Sequence, residues 1–364
     1  MGHPLPSLIV DNTRTTEAGL LKLQQALPNC AIFAWHLYPG PGNGHTLLPL
    51  PPKIGSSDRD WASWLLDHSA LRCRVFADID PETAITRSPD LPPIDFHIQK
   101  LAFDALPQVG SVSDLNGFLF RRMGELHQLR ELRIDQRLPS DTLQGLGAIK
   151  SLQRLRIGGD PYAGDGRLRA FSRLTGLTAL TFEGSELTDA GVRSLAPLSG
   201  LTELSLSGHA RNLHGSGFEA LRGLTNLRAL DVMGCGLDDE GARRIGLLTS
   251  LESLSVRDTW ISGKGLAALA GLKHLKFLSL AHCRRLRTDD LASLTELSSL
   301  EQLDLSDCRL TDASAKTLLA TLKKLKNLKT LNLMGTGVPP GLVAPELPQL
   351  RVTEQQPLFI PSIR

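Results

Sequence analysis

The chain has 364 residues, with 40 basic side chains against 38 acidic ones and a net charge of +2. That balance gives no general field for a polyanion, and aromatic residues at 5% are too few for a base-stacking surface. A single globular core rarely reaches this length. A stack of similar units can, because each unit packs only on its neighbours.

In chain order, Val10–Leu23 aligns without gaps on Val256–Leu269 (Val10-Asp11-Asn12-Thr13 on Val256-Arg257-Asp258-Thr259, then Gly19-Leu20 on Gly265-Leu266). The chain thus starts inside a unit that recurs downstream. Ala26–Trp35 follows as a short loop and closing strand, so residues 1–38 read as a partial repeat. The expectation is an excised piece, or the tail of a longer protein. Residues 39–57 are rich in Pro and Gly and read as a linker. Gly40, Gly42 and Gly44 do not make a phosphate loop, since no Lys-Ser/Thr follows them. Residues 58–97 read as a cap. Trp61, Trp64 and Leu65 share a helical face there, Leu71–Phe76 alternates like a strand, and 79–93 reads as a loop.

Residues 98–352 carry the organising pattern. Leu177-x-x-Leu180-x-Phe182 is followed by Leu187-Thr188-Asp189-Ala190-Gly191-Val192-x-x-Leu195-x-x-Leu198, and at Leu201 the pattern restarts. Starts fall at Leu129, Leu152, Leu177, Leu201, Leu227, Leu251, Leu275, Leu300 and Leu328, spaced by 23, 25, 24, 26, 24, 24, 25 and 28 residues. Counting each start as position one, positions four and six are apolar and positions three, five and seven mostly polar or small. That alternation is a strand with its leucines inward. The second half, with apolar residues three apart after Thr188-Asp189, suits a short capped helix. Neither half buries its apolar stripe alone, so the turns must stack with strands on one side and helices on the other. At about 4.8 Å per parallel strand, nine turns span roughly 40 Å. Ile98-x-x-Leu101-x-Phe103 fits as a degenerate first turn, with an insertion expected around 108–114. The signature weakens over 160–173, where Tyr162 takes an apolar position. His209 and His214, in a turn with two extra residues, have no partner at metal-ligand spacing. Residues 353–364 read as a C-terminal tail.

This pattern resembles the leucine-rich repeat family. Its Leu-Thr-Asp-Ala-Gly element, with Cys235, Cys283 and Cys308 at position nine, is similar to the cysteine-containing subtype and to bacterial arrays, some of which follow a kinase domain. The resemblance implies an α/β solenoid, a curved horseshoe with parallel strands on the concave face and short helices on the convex face. It implies a recognition scaffold and says little about the partner.

Five cysteines without a tight framework point to small buried thiols, not a disulfide-built domain. With no signal-peptide pattern and no long apolar run, the expected location is cytoplasmic. No catalytic constellation, cofactor motif or metal-ligand set recurs at a spacing that needs explaining.

Function is therefore sought on the outward columns of the strands. Arg133, Arg154 and Arg156 cluster over the first turns, and Asp231, Asp258, Asp304 and Asp307 over the later ones. Met233, Arg257, Phe277, His282 and Met334 complete the candidate contact set. The apolar members, expected to be exposed and ringed by charge, match the centre and rim of an interface. The plain alternative is a solvated strand face on which Arg257 neutralises Asp231 or Asp258. The reading is a non-catalytic protein-interaction scaffold that binds a protein partner through the concave face of the array, not nucleic acid or membrane. Alternatives are substrate recognition within a ubiquitin-ligase-like or bacterial effector assembly, and the repeat region of a larger kinase-linked protein.

Overall fold

The computed structural model describes residues 7–10, 31–34, 48–49, 52, 56–67, 72–104, 119–137, 140–160, 162–310 and 315–353, with Lys22 and Ala26 as isolated helical positions. Most of the partial repeat, most of the Pro/Gly-rich stretch, the expected insertion at 108–114 and the tail after Thr353 lie outside the described residues. The chain divides into two compact units, Met1–Asp160 and Pro161–Arg364.

In the first unit, β1 (Ser7–Val10) pairs in parallel with β2 (Ala31–Ala34), Ser7 opposite Ala31, and β3 (Leu48–Pro49) returns antiparallel to β2. Helix α1 (Asp58–Asp67) starts with a reciprocal cap: the Asp60 N–H donates to Ser57 Oγ at 3.2 Å and the Ser57 N–H to Asp60 Oδ2 at 2.9 Å. Its apolar face buries Trp61 and Leu65, with Trp61 and Trp64 edge-on at 6.2 Å. Strand β4 (Cys73–Ala77) lies antiparallel between β5 (Asp80–Ile85) and β6 (Ile98–Phe103). Strand β5 corrects the loop expected over 79–93. It is an edge strand held by backbone bonds, and residues 80–83 are all exposed, so no apolar alternation marks it. From β6 the pairing turns parallel, through β7 (Glu131–Asp135) to β8 (Arg154–Gly158). Leu101, Leu132 and Leu155 stand in register, as do Phe103, Ile134 and Ile157, all buried.

The second unit repeats one plan. Strands β9 (Ala179–Glu183), β10 (Glu203–Ser207), β11 (Ala229–Asp231), β12 (Ser253–Ser255), β13 (Phe277–Ser279), β14 (Gln302–Asp304), β15 (Thr330–Asn332) and β16 (Arg351–Thr353) pair in parallel in chain order. Position-four leucines from Leu180 to Leu331 face one another strand by strand, and each is at most 1% exposed. This is the expected α/β leucine-rich repeat solenoid. The connecting segments are short helices, among them α2 (Asp165–Phe171), α3 (Asp189–Arg193), α4 (Asp239–Ile245), α5 (Gly263–Ala268), α6 (Ala315–Leu322) and α7 (Pro340–Val343). Ser216–Gly223 and Thr288–Glu296 are 3₁₀ instead. Leucines three apart also close 3₁₀ bonds on the way to the next strand, whichever helix type precedes them. Leu195, Leu198 and Leu201 each donate their N–H to the apolar residue three earlier (Val192, Leu195, Leu198), which is the 3₁₀ bond, and Leu224 and Leu227 do the same.

The Leu-Thr-Asp-Ala-Gly element ties one turn to the next. Thr188 and Asp238 cap their own helices, accepting from Ala190 N–H and Gly241 N–H. The following aspartate reaches forward. Asp239 Oδ1 accepts from the N–H groups of Ser262 (2.7 Å) and Gly265 (3.0 Å), and its Oδ2 from the Ser262 hydroxyl (2.6 Å). Asp165 does the same for Thr188, and Asp189 for Gly215 and Gly217. The glycine of the element is fixed by that contact: a Cβ on Gly265 would stand 2.6 Å from Asp239 Oδ1. Burial pushes the Asp239 carboxyl up, but the Ser262 and Gly265 hydrogen bonds outweigh it and hold it below the usual range.

Cysteines Cys235, Cys283 and Cys308 are buried and free, each donating to the position-six carbonyl of the preceding turn: Leu206, Val256 and Leu280 at 3.5, 3.2 and 3.1 Å. Burial pushes the Cys235 thiol up to about 12 and Cys283 to about 11, so neither supplies a thiolate at neutral pH.

Candidate functional site

Along the strands of the second unit, the outward columns differ in depth. Position five is nearly closed. Ser205, Ser255, Ser279, Asp304 and Asn332 are all buried, and Asp231 is half-buried. Parallel strands about 4.8 Å apart leave little room for water beside a short side chain flanked on both sides. The acids here serve the backbone. Asp231, Asp304 and Asn332 each accept the N–H two residues on, from Met233 (3.2 Å), Ser306 (3.0 Å) and Met334 (3.0 Å), where the chain leaves the strand. Sideways, the Ser205 hydroxyl donates to Asp231 and the Ser279 hydroxyl to Asp304, at 3.3 and 3.4 Å. Burial raises the Asp231 carboxyl above its ordinary range, against the Ser255, Met233 and Ser205 hydrogen bonds and the charge of Arg257.

Two expected contact residues are thereby corrected. Asp304 is 0% exposed and Phe277 only 2%, so neither is offered to a partner. Phe277 stands in register between Ser253 and Gln302, a flat ring between close neighbours. Met233, Arg257 and Met334 are half-buried.

Position eight stands clear. Here the backbone turns left-handed at Gly159 (φ 72°), then in six successive turns from Gly208 (111°) through Gly234 (73°), Asp258 (52°), His282 (58°) and Asp307 (55°) to Gly335 (67°), but not at Gly184. Glycine meets that geometry without a Cβ penalty, whereas an L side chain costs about 1 kcal/mol or more, Asp and His being among the better tolerated. Three consecutive turns of the second unit nonetheless carry side chains there. His282 Nε2 lies 3.1 Å from Asp307 Oδ2, and His209 Nδ1, two turns back, lies 4.0 Å from Asp258 Oδ2. The Asp258 side chain is 52% exposed. The neighbouring Ser306 is fully buried, so its hydroxyl is not presented beside the His–Asp pair. Among the described residues no group of three His, Cys, Asp or Glu side chains could hold a metal ion.

At the other end of the strands, position two forms an ion-pair ladder. Glu252 meets Arg228 at 3.5 Å and Lys276 at 2.7 Å, and Glu301 meets Lys329 at 2.7 Å. A shallow cleft lined by Arg222, Arg228, Leu247, Glu252 and His274 opens there, and Arg228 and Glu252 neutralise each other across it. In the first unit, Arg133 and Arg156 both contact Asp135, the latter at 3.3 Å, while Arg154 is exposed.

Residues 223–246, 248–270 and 296–319 match the family model described as leucine-rich repeat. These three segments are leucine-rich repeats. Solved structures similar to this chain include an internalin from Listeria monocytogenes, 21% identical over 65% of this chain and 71% of that one, TM-score 0.43. An internalin C2 from the same organism is 23% identical over 60% of this chain and 84% of its own, TM-score 0.41. At such scores neither structure lends a functional argument. No curated protein sequence matches the chain. Among the described residues, no helix is long and apolar enough to cross a membrane.

Proposed function

We propose that the array is a non-catalytic scaffold that meets a protein partner along the strand-end rim. The contact set is Met233, Arg257, Asp258, His282, Asp307 and Met334, with Asp231 at its inner margin. One observation carries the reading: Asp258, His282 and Asp307 occupy left-handed positions that glycine fills in the flanking turns. Strained positions that keep their side chains mark function more often than packing, because the fold alone would be better served by glycine. Half-buried methionines beside charged tips supply the apolar centre that a rim needs. In the first unit, Arg133, Arg154 and Arg156 are the residues that would meet an acidic contact. Free, buried thiols support a cytoplasmic setting.

The test is a photo-crosslinking residue at position 282 and another at Lys264, which is exposed on α5. In extract of the source cell, position 282 should trap a discrete protein that position 264 does not, and the D258K/D307K background should lose it. Equal trapping from both positions would remove the rim from consideration.

A further inference from the structure

The loop after each strand carries another column, at position ten, which no strand reading covers. Over five consecutive turns it reads Gly236, Trp260, Arg284, Arg309 and Gly337. Trp260 is 46% exposed, and Arg284 and Arg309 are exposed. The turn starting at Leu275 is one residue longer than the turn before it and adds Arg285 and Arg287, both exposed. The Arg285 guanidinium lies over the Trp260 ring, 5.4 Å from its centroid, and donates to the Trp260 carbonyl at 3.4 Å. The Trp260 N–H donates to Leu237 O at 2.9 Å, so the tryptophan projects from a fixed backbone. Among the described residues no carboxylate forms an ion pair with Arg284, Arg285, Arg287 or Arg309. Four guanidiniums beside a stacked, half-exposed indole thus sit on three adjacent turns, none of them ion-paired among the described residues. Other cations of this unit are paired, as in the position-two ladder and in the contacts of Arg243 and Arg244 with Glu240.

We propose that this patch docks an acidic segment of a protein partner, with Asp or Glu carboxylates forked on Arg284 and Arg309 and an apolar side chain against Trp260. Guanidinium geometry matches carboxylates two bonds at a time, and the two arginines stand at the same position of adjacent turns. The same features disfavour a nucleic acid. Glycines close the column at both ends, leaving a patch about 10 Å long, room for one or two anionic groups. This surface shares no residue with the rim set, so the two can fail separately.

The experiment uses the full chain and a fluorescein-labelled peptide of alternating glutamate and serine with one central leucine, followed by anisotropy at roughly 50 mM salt, where screening is weak. Saturable binding is expected, with Trp260 fluorescence shielded from acrylamide. R284E/R309E should lower affinity about tenfold or more, and W260A about threefold. Both variants should melt like the parent, since the residues are exposed, and D258K should keep the peptide. No saturable binding, or binding unmoved by R284E/R309E, overturns the proposal. So does an oligothymidylate that binds the same arginines more tightly than the peptide.

Discussion

Position five and position eight lie three residues apart in every turn of the second unit, and both read as polar columns facing away from the leucines. One is interior and the other is surface. Asp304 is fully buried, bonded to Ser279 and to the Ser306 N–H, whereas Asp307 keeps a third of its side-chain surface and meets His282. Alternation tells which way a side chain points. It does not tell whether water can follow it between strands about 4.8 Å apart.

The sharpest way to separate the columns is charge reversal. D304K puts an ammonium where a carboxylate satisfies two donors, and should destabilise by about 3–5 kcal/mol, as breaking a buried charged network does. D307K should stay within about 0.5–1 kcal/mol of the parent. Urea midpoints of the two variants decide it, and similar midpoints would mean position five is open to solvent. The consequence for binding work is direct: reversing Asp231, Asp258 and Asp304 together would unfold the array before testing its surface.

A second break probes the links between turns. D239A leaves the Ser262 and Gly265 N–H groups without their acceptor and should cost about 1–3 kcal/mol. G265A forces a Cβ towards Asp239 Oδ1 and should cost about 1–2 kcal/mol. Because each loss arises from the same contact, D239A/G265A should cost clearly less than the sum. Additive losses in a double-mutant cycle would dissolve the proposed coupling. Asp239 also gives a pH signature. Its folded carboxyl is held below the ordinary range, so its contribution is present above the unfolded pKa and lost as pH falls through the folded one. D239N should therefore flatten the acid limb of the stability curve.

Asp231 has the opposite sign. Its folded pKa is raised by burial, so its proton is favoured in the fold and its share of stability declines as pH rises through that pKa. D231N puts in the same column the amide that Asn332 already supplies, with the acceptor for Met233 N–H kept. It should be more stable than the parent at neutral pH, with the gap closing in acid. A gap that widens in acid would refute the burial assignment.

These contrasts show what was legible in the sequence. Leu180, Leu204 and Leu230 announced the strands and their register, because only a period of two places them inward. The Thr188-Asp189 pair announced a capped helix, but its reach into the next turn was not visible, since that is a relation between residues 23 or more positions apart. Phe277 misled because an aromatic residue at an outward position looks exposed until its neighbours close over it. Strand β5 was silent because both of its faces are wet at Asp80–Thr83. The rim had a signal that strand columns do not carry: at position eight Gly159, Gly208, Gly234 and Gly335 imply a left-handed backbone, and Asp258, His282 and Asp307 are the exceptions to it.

The smallest expected effect turns on those exceptions. Replacing His282 by glycine relieves a left-handed L residue but adds freedom to the unfolded chain, and it removes the contact with Asp307. The net change in stability should lie within about 1 kcal/mol of zero and lean towards stabilisation. Binding of the rim partner should fall in the same variant. A side chain kept for the fold predicts the reverse, with stability lost and binding unchanged. Melting and crosslinking on one H282G sample therefore distinguish a rim retained for recognition from one retained for packing, and the Trp260 patch serves as an internal control because neither reading moves it.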